Sequence, residues 1–259
     1  MTHRSCIILL ASTVLLAGLA QAAPVAVATY DFSTGTLAAA EPGAAALVAI
    51  NPAGTNAFIT DTVFGVTKTV YRFDGSSVSG DQGGLSLNTT GLLTSKAYSV
   101  DMVFSFDFDG PTWERILDSS NRTSDNGFYV EPGHKLQVYP VGDGPTTFTF
   151  GDYHRVSLTN DGSGHVTAYL DGVFQFDLIS TEMDFDSAGY TNPDKILTFF
   201  SDNVLGPAQT EWVPGKVSLI RLYDFELKPG DIVPEPVSLA LVGIGLLAAA
   251  GARIRRRQA

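Results

Sequence analysis

Three groups of residues in this chain are of types that do chemistry. The first is Glu182-Met183-Asp184-Phe185-Asp186, three carboxylates at alternating positions. On a strand such alternation puts them on one face, and two carboxyls about 5–5.5 Å apart are what retaining glycoside hydrolysis requires. The outer two are four residues apart, roughly 13 Å along a regular strand, so only a bulge and long side chains would make them converge. Asp186 is one methylene shorter than a glutamate, and a loop, Ser187-Ala188-Gly189-Tyr190-Thr191-Asn192-Pro193, follows at once. The second group is Asp118, Asp125-Asn126 and Asp202-Asn203, short side chains whose hard oxygens suit calcium at a loop rim. The same residue types are good turn formers, and no fixed ligand spacing links them. The third is Trp113 and Trp212, whose ring faces could carry pyranose rings or fill a core.

Composition excludes other chemistry. The one cysteine, Cys6, lies in the apolar N-terminal segment, so the rest of the chain has no thiol for disulfides, nucleophilic catalysis or zinc. His134, His154 and His165 fall in turn or strand positions without a ligand-like spacing.

Both ends of the chain read as processing segments. His3 and Arg4 precede an apolar run from Cys6 to Ala20, and Ala20-Gln21-Ala22 is an A-x-A cleavage site, so residues 1–22 are expected to be a secretory signal peptide. At the other end Val233-Pro234-Glu235-Pro236 cannot sit inside a helix and marks an extended joint open to a protease. An apolar run from Val237 to Ala252 follows, roughly 24 Å long as a helix, which reaches across a thin bilayer. Arg253, Arg255, Arg256 and Arg257 then predict a cytoplasmic end. On physical grounds alone this tail is either an ordinary anchor or a removable one. Without both segments the chain keeps 11 of its 16 Lys and Arg and 26 of its 27 acidic residues, a net charge of about −15. That charge argues against nucleic acid and anionic lipid as partners.

The elements that must position the candidate residues are strands. Tyr98, Val100, Met102, Phe104, Phe106 and Phe108 alternate with Ser99, Asp101, Ser105 and Asp107, the pattern of a strand with one buried and one solvated face. His154–Thr159 and Val166–Leu170 form a hairpin through Asn160-Asp161-Gly162-Ser163-Gly164, and Asp171-Gly172 turns into Val173–Phe176. Val217–Tyr223 is apolar on both faces and reads as a central strand. Val25–Phe32 reads as a strand and Thr34–Ala49 as a loose loop or edge. Residues 23–232 are therefore expected to form one all-β domain, a two-sheet antiparallel jelly-roll sandwich.

Two resemblances sharpen this reading. Pro234-Glu235-Pro236, the Gly/Ala/Leu-rich run with Gly243, Gly245 and Gly251, and the terminal arginines closely resemble the PEP-CTERM sorting signal of exopolysaccharide-producing Gram-negative bacteria. The resemblance implies that residues 233–259 are removed by an exosortase after export through the Sec machinery, and that the protein ends in the outer envelope or extracellular matrix. The succession Tyr71-Arg72-Phe73-Asp74-Gly75, Tyr98–Met102, Val156–Gly164 leading to Tyr169-Leu170-Asp171-Gly172, Phe199–Asn203 and Ile220–Asp224 resembles the laminin-G/concanavalin A-like domains. Those domains host lectins, adhesion modules, hydrolases and plain structural units. The Glu182–Asp186 stretch resembles the Glu-x-Asp-x-Glu strand of laminarinase-like hydrolases but ends in Asp and lacks an aromatic platform beside it. No catalytic residue is assigned. The expected activity is non-catalytic binding of exopolysaccharide or another matrix component, with Trp113 and Trp212 as sugar contacts and calcium, if used, on Asp118, Asp125, Asp202 and Asn203. A structural surface protein without a ligand and a glycoside hydrolase are the rival readings.

Overall fold

A computed structural model describes residues 23–232 except 77, 79, 95, 111, 188–189 and 206–209. Residues 1–22, expected to be a signal peptide, and Pro234, Glu235, Pro236, the 237–252 run and Arg253, Arg255, Arg256 and Arg257 lie outside the described residues. Among those described, no helix is long and apolar enough to cross a membrane.

Two antiparallel sheets pack face to face as a β-sandwich; strands are numbered in chain order. Sheet one runs β13 (Val173–Ile179), β12 (His165–Leu170), β11 (His154–Asn160), β6 (Tyr98–Phe106), β17 (Gly215–Tyr223), β4 (Val66–Phe73) and β3 (Ala57–Val63), with β1 (Ala28–Asp31) also pairing β17. Sheet two runs β10 (Gly142–Thr147), β9 (Lys135–Tyr139), β8 (Gly127–Val130), β7 (Glu114–Asp118), β16 (Ile196–Phe199), β5 (Gly84–Asn88) and β2 (Val48–Ile50). A two-stranded ribbon, β14 (Asp186–Ser187) and β15 (Tyr190–Thr191), stands apart.

Local chemistry explains the connections. Asp171 and Gly172, at φ +52° and +78°, form the two-residue turn between β12 and β13, the conformation that Asp-Gly favours. The 160–164 turn needs glycine at 162 for a second reason. A Cβ there would stand 2.7 Å from the backbone nitrogen of Ala97, at the entrance to β6. The inner faces of the two sheets meet in one apolar core, in which Phe73, Phe104, Phe106, Phe148 and Phe200 cluster near the end of β6.

The alternation of β6 is right for its core face and wrong for the other. The strand ends at Phe106, Phe108 is 47% exposed, and every residue from 98 to 106 is buried. Asp101, expected in water, lies beneath Arg155, whose Nε and Nη2 donate to its two carboxylate oxygens at 2.8 and 3.0 Å, and it also accepts from Ser157 Oγ at 2.7 Å. Ser99 is covered by the segment after β17: its hydroxyl donates to the Phe225 carbonyl and accepts from Leu227 N. Leu227 and Ile232 then pack on Tyr169 and Tyr223, beside Ala26. Non-local partners thus bury a face that local sequence marks as polar.

Candidate functional site

Asp118, Asp125, Asp202, Asn203 and Trp113 converge on the outer face of sheet two. A bulge between Arg115 and Leu117 lets Ile116 and Leu117 both enter the core and leaves Arg115 facing outward opposite Tyr129 of β8. Two loops close over this face, one after β7 and one after β16. They are tied together by Arg122 Nε, which donates to the Asp202 carbonyl at 2.6 Å, and by Asn203 Nδ2, which donates to Asp125 Oδ1 at 2.9 Å.

Arg115 is the centre of the arrangement, and its side chain is fully buried. Nη1 lies 2.8 Å from Asp118 Oδ2, and Nη2 lies 2.9 Å from Glu211 Oε2 and 3.7 Å from Asp202 Oδ1. The same nitrogens donate to the carbonyls of Asp125 (3.1 Å) and Asn126 (3.3 Å), and the guanidinium carbon sits 4.7 Å from the Tyr129 ring centre. Burial opposes its charge, but Tyr129, Asp118, Glu211 and Asp202 outweigh that and raise its pKa further. Three carboxylates around this cation leave excess negative charge. Burial and then Asp202 push Glu211 up to about 8, so a proton stays on it at neutral pH despite the pull of Arg115.

All four residues expected to hold calcium are therefore neighbours, but the cation they surround is a guanidinium. Their oxygens are engaged. Asp118 accepts from Ser120 N, Ser120 Oγ and Arg122 N as well as from Arg115, and Asp202 Oδ1 accepts from Asn203 N and Nδ2. Calcium takes six to eight oxygens, and here several of the candidate oxygens already accept hydrogen bonds. Among the described residues no three His, Cys, Asp or Glu side chains are grouped to hold a metal ion.

The two tryptophans belong to the same region. Thr112 Oγ1 donates to the Thr210 carbonyl at 2.8 Å, joining the chain before Trp113 to the chain before Trp212. Trp212, also half-buried, lies against Gly75, where a Cβ would stand 2.5 Å from its ring. Trp113 is half-buried and meets Tyr129 and Tyr139 edge to face, at centroid distances of 5.5 and 5.3 Å and interplanar angles of 78° and 73°. Tyr129 is locked from below, its hydroxyl donating to the Asp125 carbonyl at 2.5 Å and lying 2.9 Å from Glu211 Oε2. Arg115, Tyr129, Tyr139 and Glu211 were not singled out by sequence reasoning. The signal present is an arginine at the centre of Glu114-Arg115-Ile116-Leu117-Asp118, a strand buried at every position.

The Glu182–Asp186 carboxylates take separate partners. Residues 182–185 form a turn, and strand β14 begins only at Asp186. Glu182 Oε2 accepts from Asn126 Nδ2 at 2.5 Å, and Asp184 Oδ1 accepts from Asn160 Nδ2 at 2.7 Å. The alternating strand that would aim the carboxyls at one point is not formed. Each histidine among the described residues pairs with a different aspartate: His134 with Asp109, His154 with Asp171, His165 with Asp177.

Glu114, next to Trp113, makes the region pH-sensitive. It is 1% exposed, Gly110 N donates to its Oε1 at 2.9 Å, and Oε2 has no hydrogen-bond partner. Burial, reinforced by Asp109 and Glu131, pushes its carboxyl up to about 8. Between about pH 4.5 and 8 the native state keeps a proton that the unfolded chain has lost, so stability falls as pH rises through that window, by roughly 1.4 kcal/mol per unit per group. Thermal unfolding should therefore show a melting temperature that drops from pH 5 to pH 9, with a shallower drop in Glu114→Gln. Equal slopes in the two proteins would contradict the assignment.

No protein-family model and no curated protein sequence matches the chain. Solved structures do. Domain 4 of AbnA, a GH43 extracellular arabinanase from Geobacillus stearothermophilus solved in complex with arabinotriose, is similar with a TM-score of 0.58 and 17% identity over 81% of this chain and 97% of that one. The binding domain of botulinum neurotoxin DC, solved in complex with SialylT and with rat synaptotagmin II, is similar with a TM-score of 0.53 and 13% identity over 80% of this chain and half of that one. At these identities the likeness establishes the β-sandwich fold.

Proposed function

We propose that this chain is an exported, non-catalytic glycan-binding protein with a laminin-G/concanavalin A-like domain, and that it contacts sugar through Trp113 and Tyr139. The observation that carries this reading is Trp113, held edge-on by two tyrosines above the buried Arg115 network. A ring fixed before its ligand arrives loses little freedom on binding, and a large aromatic surface with polar neighbours suits the apolar face and hydroxyls of a sugar. The likeness to a domain solved with arabinotriose supports the same reading. A glycan array probed with wild-type protein and Trp113→Ala tests it. Signals on a defined set of glycans that vanish in the variant are expected, and a blank array for the wild type would favour a structural role without a ligand.

The export reading is part of the proposal. Residues 1–22 would direct the chain to the Sec machinery, and residues 233–259 would be cut from it by an exosortase, leaving the domain in the outer envelope or extracellular matrix of a Gram-negative bacterium. Ile232 is 3% exposed and packed on Tyr169 and Tyr223, and Pro234-Glu235-Pro236 begins two residues further along the chain. Cleavage there would leave the sandwich whole. In the producing cell, Glu235→Ala, or removal of Arg253, Arg255, Arg256 and Arg257, should leave uncut, membrane-held precursor. Normal mature protein from both variants would sink the exosortase assignment.

A further inference from the structure

A second surface lies at the opposite end of the sandwich from the tryptophans. A cleft of about 370 Å³ is lined there by Thr94, Lys96, Asp184, Phe185, Asp186 and Lys195, a size within the range of small-molecule sites. Lys96 precedes the start of β6, whereas Phe106 at its end pairs with Gly215, three residues after Trp212. The nine residues of β6 separate the two ends by roughly 25–30 Å.

The walls of the cleft are built, not incidental. Thr94 is fixed by Asp224, which accepts from both its backbone N and its hydroxyl. Asp184 is fixed by Asn160. Lys195 takes φ +47°, and its ammonium donates to the Leu93 carbonyl at 3.2 Å across the cleft's edge. Phe185, 8% exposed, supplies the apolar floor and packs on Tyr98 at 5.6 Å.

The charges point to a ligand class. Cations are scarce in the domain, 11 against 26 acids, and most of them are paired with carboxylates. Lys96 and Lys195 form no ion pair among the described residues, yet both line this cleft. An ammonium facing a cleft answers an anion. Asp184 and Asp186 beside the two lysines are acceptors that suit hydroxyl donors, and a sugar carries more of these than a simple inorganic anion does. One ligand satisfies both demands. We infer that the cleft binds a hexuronate unit of an acidic polysaccharide, its carboxylate between Lys96 and Lys195, its hydroxyls donating to Asp184 and Asp186, and its ring on the edge of Phe185.

This inference rests on the glycan-binding reading but uses a different surface, so the two can fail separately. Calorimetric titration of the full chain in detergent micelles with trigalacturonate, galactotriose and inorganic phosphate tests it. Trigalacturonate should bind at least tenfold tighter than galactotriose and weaken with added salt. Lys96→Gln with Lys195→Gln should lose at least tenfold in trigalacturonate affinity at an unchanged melting temperature, since neither side chain is in the core. Trp113→Ala should keep that affinity while losing its signals on the glycan array. Equal affinity for the acidic and neutral trisaccharides, an unchanged affinity in the double variant, or displacement of trigalacturonate by equimolar phosphate would each overturn the inference.

Discussion

Arg115→Ala is expected to lower the melting temperature by about 10 °C or more, the largest effect of any single charge removal in the domain. The substitution leaves Asp118, Asp202 and Glu211 buried around an empty centre, and breaking a buried ion network from one side costs about 3–5 kcal/mol. In a domain of this size each kcal/mol shifts the midpoint by roughly 2–4 °C. Lysine at 115 keeps the charge but cannot spread donors over three carboxylates and two carbonyls, so it should recover only part of the loss. Adding Asp202→Asn to Arg115→Ala should also recover part, because it removes one of the stranded carboxylates. Circular dichroism melts of the four proteins decide the point. A midpoint for Arg115→Ala within about 2 °C of wild type would show that the network does not hold the two loops.

The second large effect is expected at Phe104. The residue is 0% exposed, with the rings of Phe106, Phe200 and Phe148 at 5.1, 5.2 and 5.8 Å. Phe104→Asp would place an unpaired carboxylate among them, at a cost of several kcal/mol, comparable to the whole stability of a domain. Phe108→Asp, at the same alternation but beyond the end of β6, should shift the midpoint by no more than about 2 °C. Soluble, cooperatively melting Phe104→Asp protein would mean the core does not lie where the two sheets meet.

These two residues also show how much of the molecule is legible in its sequence. Phe104 is legible because strand alternation is local: every second residue from Tyr98 to Phe106 faces the core, and Asp171-Gly172 and the 160–164 turn fix their hairpins through backbone chemistry that each carries in itself. Asp101 is not legible. Its alternation says solvent, and only Arg155 on β11 and Arg221 on β17, brought over it by strand pairing, bury it. The candidate site divides in the same way. Asp118, Asp125, Asp202 and Asn203 are legible as a set of oxygens, and they do gather in space. Which cation they gather around depends on a strand bulge that turns Arg115 toward them, and spacing alone cannot distinguish a guanidinium from a calcium ion. Tyr139 gains its place beside Trp113 from β9 pairing with β8, a contact that no local pattern announces.

The claim that joins these observations is that Trp113 is the sugar-contacting ring of a binding domain, and tryptophan emission tests it most directly. The protein has two tryptophans, and Trp212 is packed on Gly75. Titration with a glycan selected on the array should give a saturable change in emission in the wild type and in Trp212→Phe, and none in Trp113→Ala, whose binding should fall by at least tenfold. Undiminished glycan binding by Trp113→Ala, with the emission change lost only in Trp212→Phe, would contradict the account.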